Sequence, residues 1–335
     1  MTLTLGLEEE FFVLYQGRPH MIGLTHLARL LRKDPAYYFT HSASNFSRGE
    51  GAKQGLMSAL EVSTPVCTSI QDLLHTLKQL RSQVSMVIPQ GLIAPTGMFQ
   101  RDDINNTAGL HIHLGVEARE QERIYQNVAY FLPVLALATS SSPFKGTEVF
   151  GQSYRMHASY ALGGLTDDPY KRFQDLIITR RLGTIEVRVL DPVWDLQRLE
   201  AVLDALVQVA QLKEKLPYQQ ADYNQLRSQW TQKGLTPQML QRARELQDAT
   251  GFELQWVERT VSDDLVELTA QKDYQHALRH LDSGYRTGTW EASRTPDVPP
   301  PHHHSLEGWL TYYLPRFPYI AYKGIKENLK TRKES

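Results

Sequence analysis

"GLEEEFFVL", residues 6–14, runs three carboxylates directly into an apolar stretch. Successive side chains on a strand point to opposite faces. Read as a strand over residues 3–15, the segment puts Leu3, Leu5, Leu7, Phe11 and Val13 on one face. Glu8, Glu10 and Phe12 fall on the other. Glu9 points away from its two neighbours and reads as a surface residue or as a support for them. Burying an unpaired carboxylate is costly. Either these residues are solvated, or the fold brings compensating charge to them.

Two further strands repeat the device. "AGLHIHLGV" (108–116) sets His111 and His113 on one face, and "LGTIEVRVLDP" (182–192) does the same with Glu186 and Arg188. "ALEVSTP" (59–65) adds Glu61. If these strands are neighbours in one sheet, one face collects carboxylates, two imidazoles and a guanidinium. Such a carboxylate-rich set suits magnesium or manganese. Zinc fits less well, because the single cysteine stands alone and no HExxH occurs. Each pair also has a plain reading: a solvated strand face, a structural histidine pair, a surface ion pair. From the residues alone, both readings stay open.

The bulk composition excludes several classes. With 335 residues, 41% of them hydrophobic and 22% charged, the chain is long enough for a sizeable core. A net charge of -1 suggests neither a nucleic acid nor an anionic membrane as partner. One cysteine, Cys67, rules out an internal disulfide and fits a reducing compartment. Its place after a Pro-Val step reads as a small buried hydrophobe. No secretory signal and no membrane span are expected, and a cytoplasmic location is.

Outward from the opening strand, "TSIQDLLHTLKQLRSQVSMVIP" (68–89) reads as a helix. Thr68 or Ser69 caps it, Leu73, Leu74, Leu77, Leu80 and Val84 form its stripe, and Pro89 ends it. A second helix covers 119–139, with a kink expected at Pro133. From about 196 the pattern is helical until "RTPDVPPPHHHS" (294–305). The expected organisation is α+β: a sheet-rich catalytic core over 1–195, then a mainly helical continuation of the same domain over 196–335. "PPPHHH" reads as an exposed linker ahead of a metal tract. The aromatic "GWLTYYLPRFPYIAY" (308–322) reads as docking the tail on the body or on another subunit of a homo-oligomer.

Five stretches, in order, carry a resemblance: "GLEEEFFVL", "ALEVSTPVC", "GLHIHLGV", "FLPVLALATSSSPFKGTEVFGQSYR" and "GTIEVRVLD". Together they resemble the signature blocks of the glutamate–cysteine ligase type 2 family, which includes the bacterial carboxylate–amine ligases. More distantly they resemble glutamine synthetase. The resemblance implies a curved antiparallel sheet with helices on its convex side and ATP and divalent metal on its concave face. It implies ATP-driven ligation of a carboxylate, glutamate above all, to an amine. It puts Glu8, Glu10, Glu61, His111 and Glu186 at metal positions, His113 near the nucleotide, and Arg155 and Arg188 where guanidinium groups meet phosphate or the acid. The partners implied are a small amino acid and an amine.

Two stretches depart from the family pattern. A histidine-proline element is missing before "GLHIH", and the chain is short between "SYR" and "TIEVR". Cysteine as acceptor therefore does not follow. No GxxxxGK[ST] loop is present, so metals and arginines would hold the phosphates. Lys145 in "SSSPFKG" is a further phosphate candidate, and Glu50 a guess at the base that takes the amine proton. Two rivals share these residues: a phosphotransferase of the guanidino kinase kind, and a non-catalytic binding protein.

Overall fold

The structure, a computed structural model, describes residues 3–19, 23–34, 36–40, 59–99 and 107–293, with a few isolated positions beyond. Glu50, "PPPHHH" apart from isolated positions, and most of the aromatic tail lie outside the described residues.

The chain opens with β1 (Thr4–Tyr15), β2 (Arg18–Pro19), α1 (Gly23–Lys33), β3 (Tyr38–Thr40), β4 (Ala59–Ser63) and α2 (Ile70–Val87). It continues through β5 (Leu92–Ala94), β6 (Leu110–Gly115), α3 (Gln121–Ala138), the small hairpin β7 (Phe144–Lys145) and β8 (Glu148–Val149), α4 (Tyr154–Ala158), β9 (Leu176–Ile178) and β10 (Thr184–Val187). Six helices follow: α5 (Leu196–Gln211), α6 (Gln220–Lys233), α7 (Pro237–Thr250), α8 (Gln255–Glu258), α9 (Val261–Gln271) and α10 (Tyr274–Thr287). The main sheet is antiparallel, in the order β3-β4-β1-β6-β10-β9, with β2 and β5 also pairing with β1. The opening strand is thus the centre of the sheet. No helix of the described residues is long and apolar enough to cross a membrane.

Period-two patterning decides how the sheet is covered. Leu5, Leu7, Phe11 and Val13 join Leu60, Val62, Ile112, Leu114, Ile185 and Val187 in one buried cluster. Against it pack Leu73, Leu77, Leu80 and Val84 of α2, and Leu199, Val202, Leu203 and Leu206 of α5. Ser69 caps α2, its hydroxyl accepting the Asp72 N–H at 3.1 Å. The helix α3 runs unbroken through Pro133 and is buried along most of its length.

The opposite face of β1 is divided. Phe12 and Leu14 form a second cluster with Leu92, Ala94, Val261, Leu265, Leu278 and Leu281, so α9 and α10 cover that end. Glu8, half-buried, and Glu10, buried, lie on the same face beyond this apolar cluster. The abrupt change from carboxylate to phenylalanine in "EEEFF" marks where the helical cover begins.

Glu9 is neither at the surface nor beside its neighbours. It lies on the core face and is 0% exposed. Its Oε2 accepts Arg81 Nε at 3.0 Å and its Oε1 accepts Arg81 Nη2. The same guanidinium donates to the carbonyls of Trp194 at 2.7 Å and Val193 at 2.6 Å, and lies 5.0 Å over the Tyr285 ring. The surface reading fails because Arg81, on the buried side of α2, reaches the sheet through the core and neutralises the carboxylate there.

Candidate metal centre

Residues directly opposed on antiparallel strands point to the same face. Glu10 opposes Glu61, Glu8 opposes His111, and His113 opposes Glu186. The strand order β4-β1-β6-β10 therefore brings Glu8, Glu10, Glu61, His111, His113 and Glu186 to one face, although they come from four separate stretches of chain.

Glu8 Oε2 lies 3.2 Å from His111 Nδ1, and Glu186 Oε1 lies 3.7 Å from the same nitrogen. His113 Nε2 is 3.6 Å from Glu8 Oε1, a contact of charge, beyond hydrogen-bond length. His113 Nδ1 is 3.1 Å from the Thr184 hydroxyl. One donor atom each from Glu8, His111 and Glu186 fall within 4.8 Å of one another. Arg188 Nη1 donates to Glu186 Oε1 at 2.5 Å. Glu10 Oε2 accepts the Gly109 N–H at 2.6 Å.

The charges here oppose one another. Burial would raise the Glu8 pKa, but the His111 hydrogen bond and the charges of the two imidazoles outweigh it and hold Glu8 below the usual carboxylate range. Burial would lower His113, yet Glu8 and then Glu186 raise it. Glu61 accepts the Ser63 hydroxyl at 3.2 Å, which lowers its pKa but is outweighed. Burial first, then the charges of Glu8 and Glu10, push it well above its ordinary value. A divalent cation among oxygen and imidazole donors is the group that would relieve this conflict, so the residues present fit one.

The conflict sets a measurable sign. A carboxyl whose pKa rises on folding destabilises the folded state as pH climbs from the unfolded value through the folded one. In chelator, Glu61→Gln is therefore expected to raise Tm by about 2–4 °C at about pH 8 and to leave it unchanged at about pH 4. A lower Tm for the variant at the alkaline pH would instead give Glu61 a structural hydrogen-bonding role.

Arg155 is buried, and its guanidinium reaches this face at Gly109, next to His111. Its Nη1 donates to the carbonyls of Val189 at 2.8 Å and Leu190 at 3.1 Å, and to Asp191 Oδ1 at 3.3 Å. A Cβ on Gly109 would come 2.3 Å from Arg155 Nη2, so only glycine lets the guanidinium pass so close to the strand. Asp191, which no motif singled out, is the hub of this layer. Its Oδ2 accepts the Ser141 N–H at 3.0 Å and the hydroxyls of Ser142 at 2.8 Å and Ser153 at 2.9 Å. Its sequence signal was its place at the end of the "EVRVLD" strand.

Other candidates lie elsewhere. Lys145 is exposed on the β7–β8 hairpin, with its ammonium 5.9 Å over the Tyr154 ring. Arg180 and Arg181 are exposed in the turn before β10, Arg180 lying 5.1 Å over Tyr170. Cys67 is buried, donating to the Pro65 carbonyl at 3.4 Å.

No protein-family model matches the chain. A protein of Sorangium cellulosum that bears the name "Putative glutamate--cysteine ligase 2" is 26% identical over 269 residues, 64% of this chain and 68% of its own length. One of the same name from Rhodospirillum rubrum is 24% identical over 244 residues, 56% of this chain and 60% of its own. The chain thus spans 60–68% of these two relatives. Among solved structures, a bifunctional glutathione synthetase from Pasteurella multocida superposes with a TM-score of 0.59 at 13% identity, covering 86% of this chain and 52% of that one. The glutamate–cysteine ligase of Francisella tularensis, solved in complex with AMP, gives 0.56 at 12% identity, covering 98% and 94%. These two share the fold. In the named relatives and in the ordered motifs on its sheet, the chain is similar to the glutamate–cysteine ligase-like carboxylate–amine ligases.

Proposed function

We propose that this protein is an ATP-dependent ligase that joins a carboxylate, the γ-carboxylate of glutamate or a close analogue, to an amine. The observation that carries this reading is the convergence of Glu8, Glu10, Glu61, His111, Glu186 and Arg188 on one face of the sheet. Glu8, His111 and Glu186 would hold a divalent ion, magnesium or manganese, with Glu10 and Glu61 beside them. Such an ion, when bound, neutralises the phosphates of ATP.

The chain's own groups position and stabilise. Arg188 offers a planar pair of donors for the migrating phosphoryl group. His113, held by Thr184, faces the nucleotide side. Arg155 holds the carbonyls of Arg188, Val189 and Leu190 beside the site and is assigned a positioning role. Lys145, turned toward Tyr154, is assigned no contact. In the reaction, a carboxylate oxygen attacks the γ-phosphorus and ADP leaves. The amine nitrogen then attacks the acyl carbon, the C–O bond breaks, and phosphate leaves while the nitrogen loses a proton.

The test is incubation with ATP, magnesium and pools of amino acids and amines, reading ADP, phosphate and product mass together. Free phosphate with a condensed product supports the proposal. A phosphorylated product without free phosphate replaces it with a phosphotransferase, and no turnover with any pool favours a binding protein.

Ligand linkage gives a second measurement. Magnesium with nucleotide should raise Tm by mass action, by about 2.7 kcal/mol of stability at a hundredfold excess over Kd. Glu10→Gln should lose most of that increment while the unliganded protein stays as stable, since the amide oxygen can still accept the Gly109 N–H. Unfolding of the unliganded variant would make Glu10 structural.

A further inference from the structure

The short helix α4 carries Arg155, and α6 holds it at two points. The Thr231 carbonyl accepts the N–H groups of Gln152 at 2.9 Å and Ser153 at 3.0 Å, just before α4 begins. Arg227, one turn earlier on α6, donates through Nη2 to the Met156 carbonyl within α4. The same guanidinium grips Asp175, Nε donating to Oδ2 and Nη2 to Oδ1 at 3.1 Å. Asp175 is 0% exposed and also accepts the Tyr223 hydroxyl at 2.8 Å and the Gly163 N–H at 3.1 Å.

Both partners of Arg227 lead to one stretch of chain. The Asp175 carbonyl accepts the N–H groups of Arg188 at 2.9 Å and Val189 at 3.2 Å. Arg155, next to Met156, donates to the carbonyls of Arg188 at 3.3 Å, Val189 at 2.8 Å and Leu190 at 3.1 Å. The main chain of Arg188 is thus held at its N–H by Asp175 and at its carbonyl by Arg155, and Arg227 fixes these two holders against each other. A buried ion pair adds little net stability, because desolvation offsets the attraction. What the Arg227–Asp175 pair supplies is geometry, since a planar guanidinium directs its donors along fixed lines.

We propose that Arg227, from the helical part of the chain, is a positioning residue for Arg188: it ties Asp175 to α4 and so sets where Arg188 stands on the sheet face. The inference rests on the role in turnover proposed for Arg188. A displacement of about 1 Å made far from the reacting atoms costs up to about a hundredfold in rate.

The test is hydrogen exchange of the segment 186–191, read by mass spectrometry on the full chain, in the wild type and in Arg227→Lys, Asp175→Asn and Arg198→Lys, each checked for fold by circular dichroism. Arg198 is the control. It too is buried, and it donates to the carbonyls of Ala138 at 2.9 Å, Trp256 at 2.6 Å and Arg259 at 3.0 Å, none of them in the strand end. Arg227→Lys and Asp175→Asn are expected to exchange the segment at least about tenfold faster than the wild type, and Arg198→Lys at the wild-type rate. In the ligation assay Arg227→Lys is expected to lose at least about tenfold in kcat, with KM for ATP within about twofold and the control unchanged. The exchange comparison needs no turnover, so it decides the inference separately from the proposed function, which alone fails if no substrate pool reacts. Exchange that is already fast in the wild type, unchanged in both variants or equally raised in the control would overturn the proposal, as would an unaltered kcat in Arg227→Lys.

Discussion

Glu9→Gln is expected to lower the unfolding free energy by about 3–5 kcal/mol. The amide would leave the Arg81 guanidinium charged and buried, with only the carbonyls of Val193 and Trp194 as strong acceptors. Arg81→Met should cost a similar amount by stranding Glu9, which is 0% exposed. The double variant Glu9→Leu/Arg81→Met removes both charges and should recover most of the loss, because a buried pair repays little more than its own desolvation. Chemical denaturation of the four proteins checks this. The pair Arg259–Glu267, with side chains 61% and 50% exposed, is the control and should be worth less than about 1 kcal/mol. A loss below about 1 kcal/mol for Glu9→Gln would show that water reaches the pair and that the clamp is not part of the core.

Arg188→Lys is expected to fold normally, to bind metal and nucleotide, and to lose at least about a hundredfold in turnover, the scale of removing one donor that stabilises developing charge. In the structure Arg188 is ion-paired with Glu186 at 2.5 Å, which by itself would suggest a structural pair. The two roles separate under this substitution. A lysine keeps the charge and preserves much of an ion pair, but it cannot offer two coplanar donors to a phosphoryl group. Turnover near that of the wild type, measured at saturating ATP, would return Arg188 to the structural pair.

The identity of the sheet-face residues was legible in the sequence because a strand's period of two is a local property of the backbone. Glu-x-Glu, His-x-His and Glu-x-Arg each declare a shared face with no knowledge of the rest of the chain. The same rule assigned Phe12 to the face of Glu8 and Glu10, and Leu73, Leu77, Leu80 and Val84 to the buried stripe of α2. The period was also sufficient to separate Glu9 from Glu8 and Glu10.

It was not sufficient to say what Glu9 meets. Its partner is 72 residues away on a helix, and an arginine in a helical stripe looks like any solvated charge until the helix is docked. Asp191 escaped for the same reason, since its partners Ser141, Ser142, Ser153 and Arg155 come from other parts of the chain. Arg155 was recognisable by its motif, but only the packing turned it toward the main-chain carbonyls of Val189 and Leu190.

What the sequence by itself determined about this protein is therefore which side chains travel together on each strand and helix, because that follows from backbone geometry within a few residues. Strand order, register and the docking of α2 onto the sheet were decided by the tertiary structure alone. They depend on how apolar faces from distant segments bury one another, and that choice placed Glu8, His111 and Glu186 within 4.8 Å while sending Glu9 into the core.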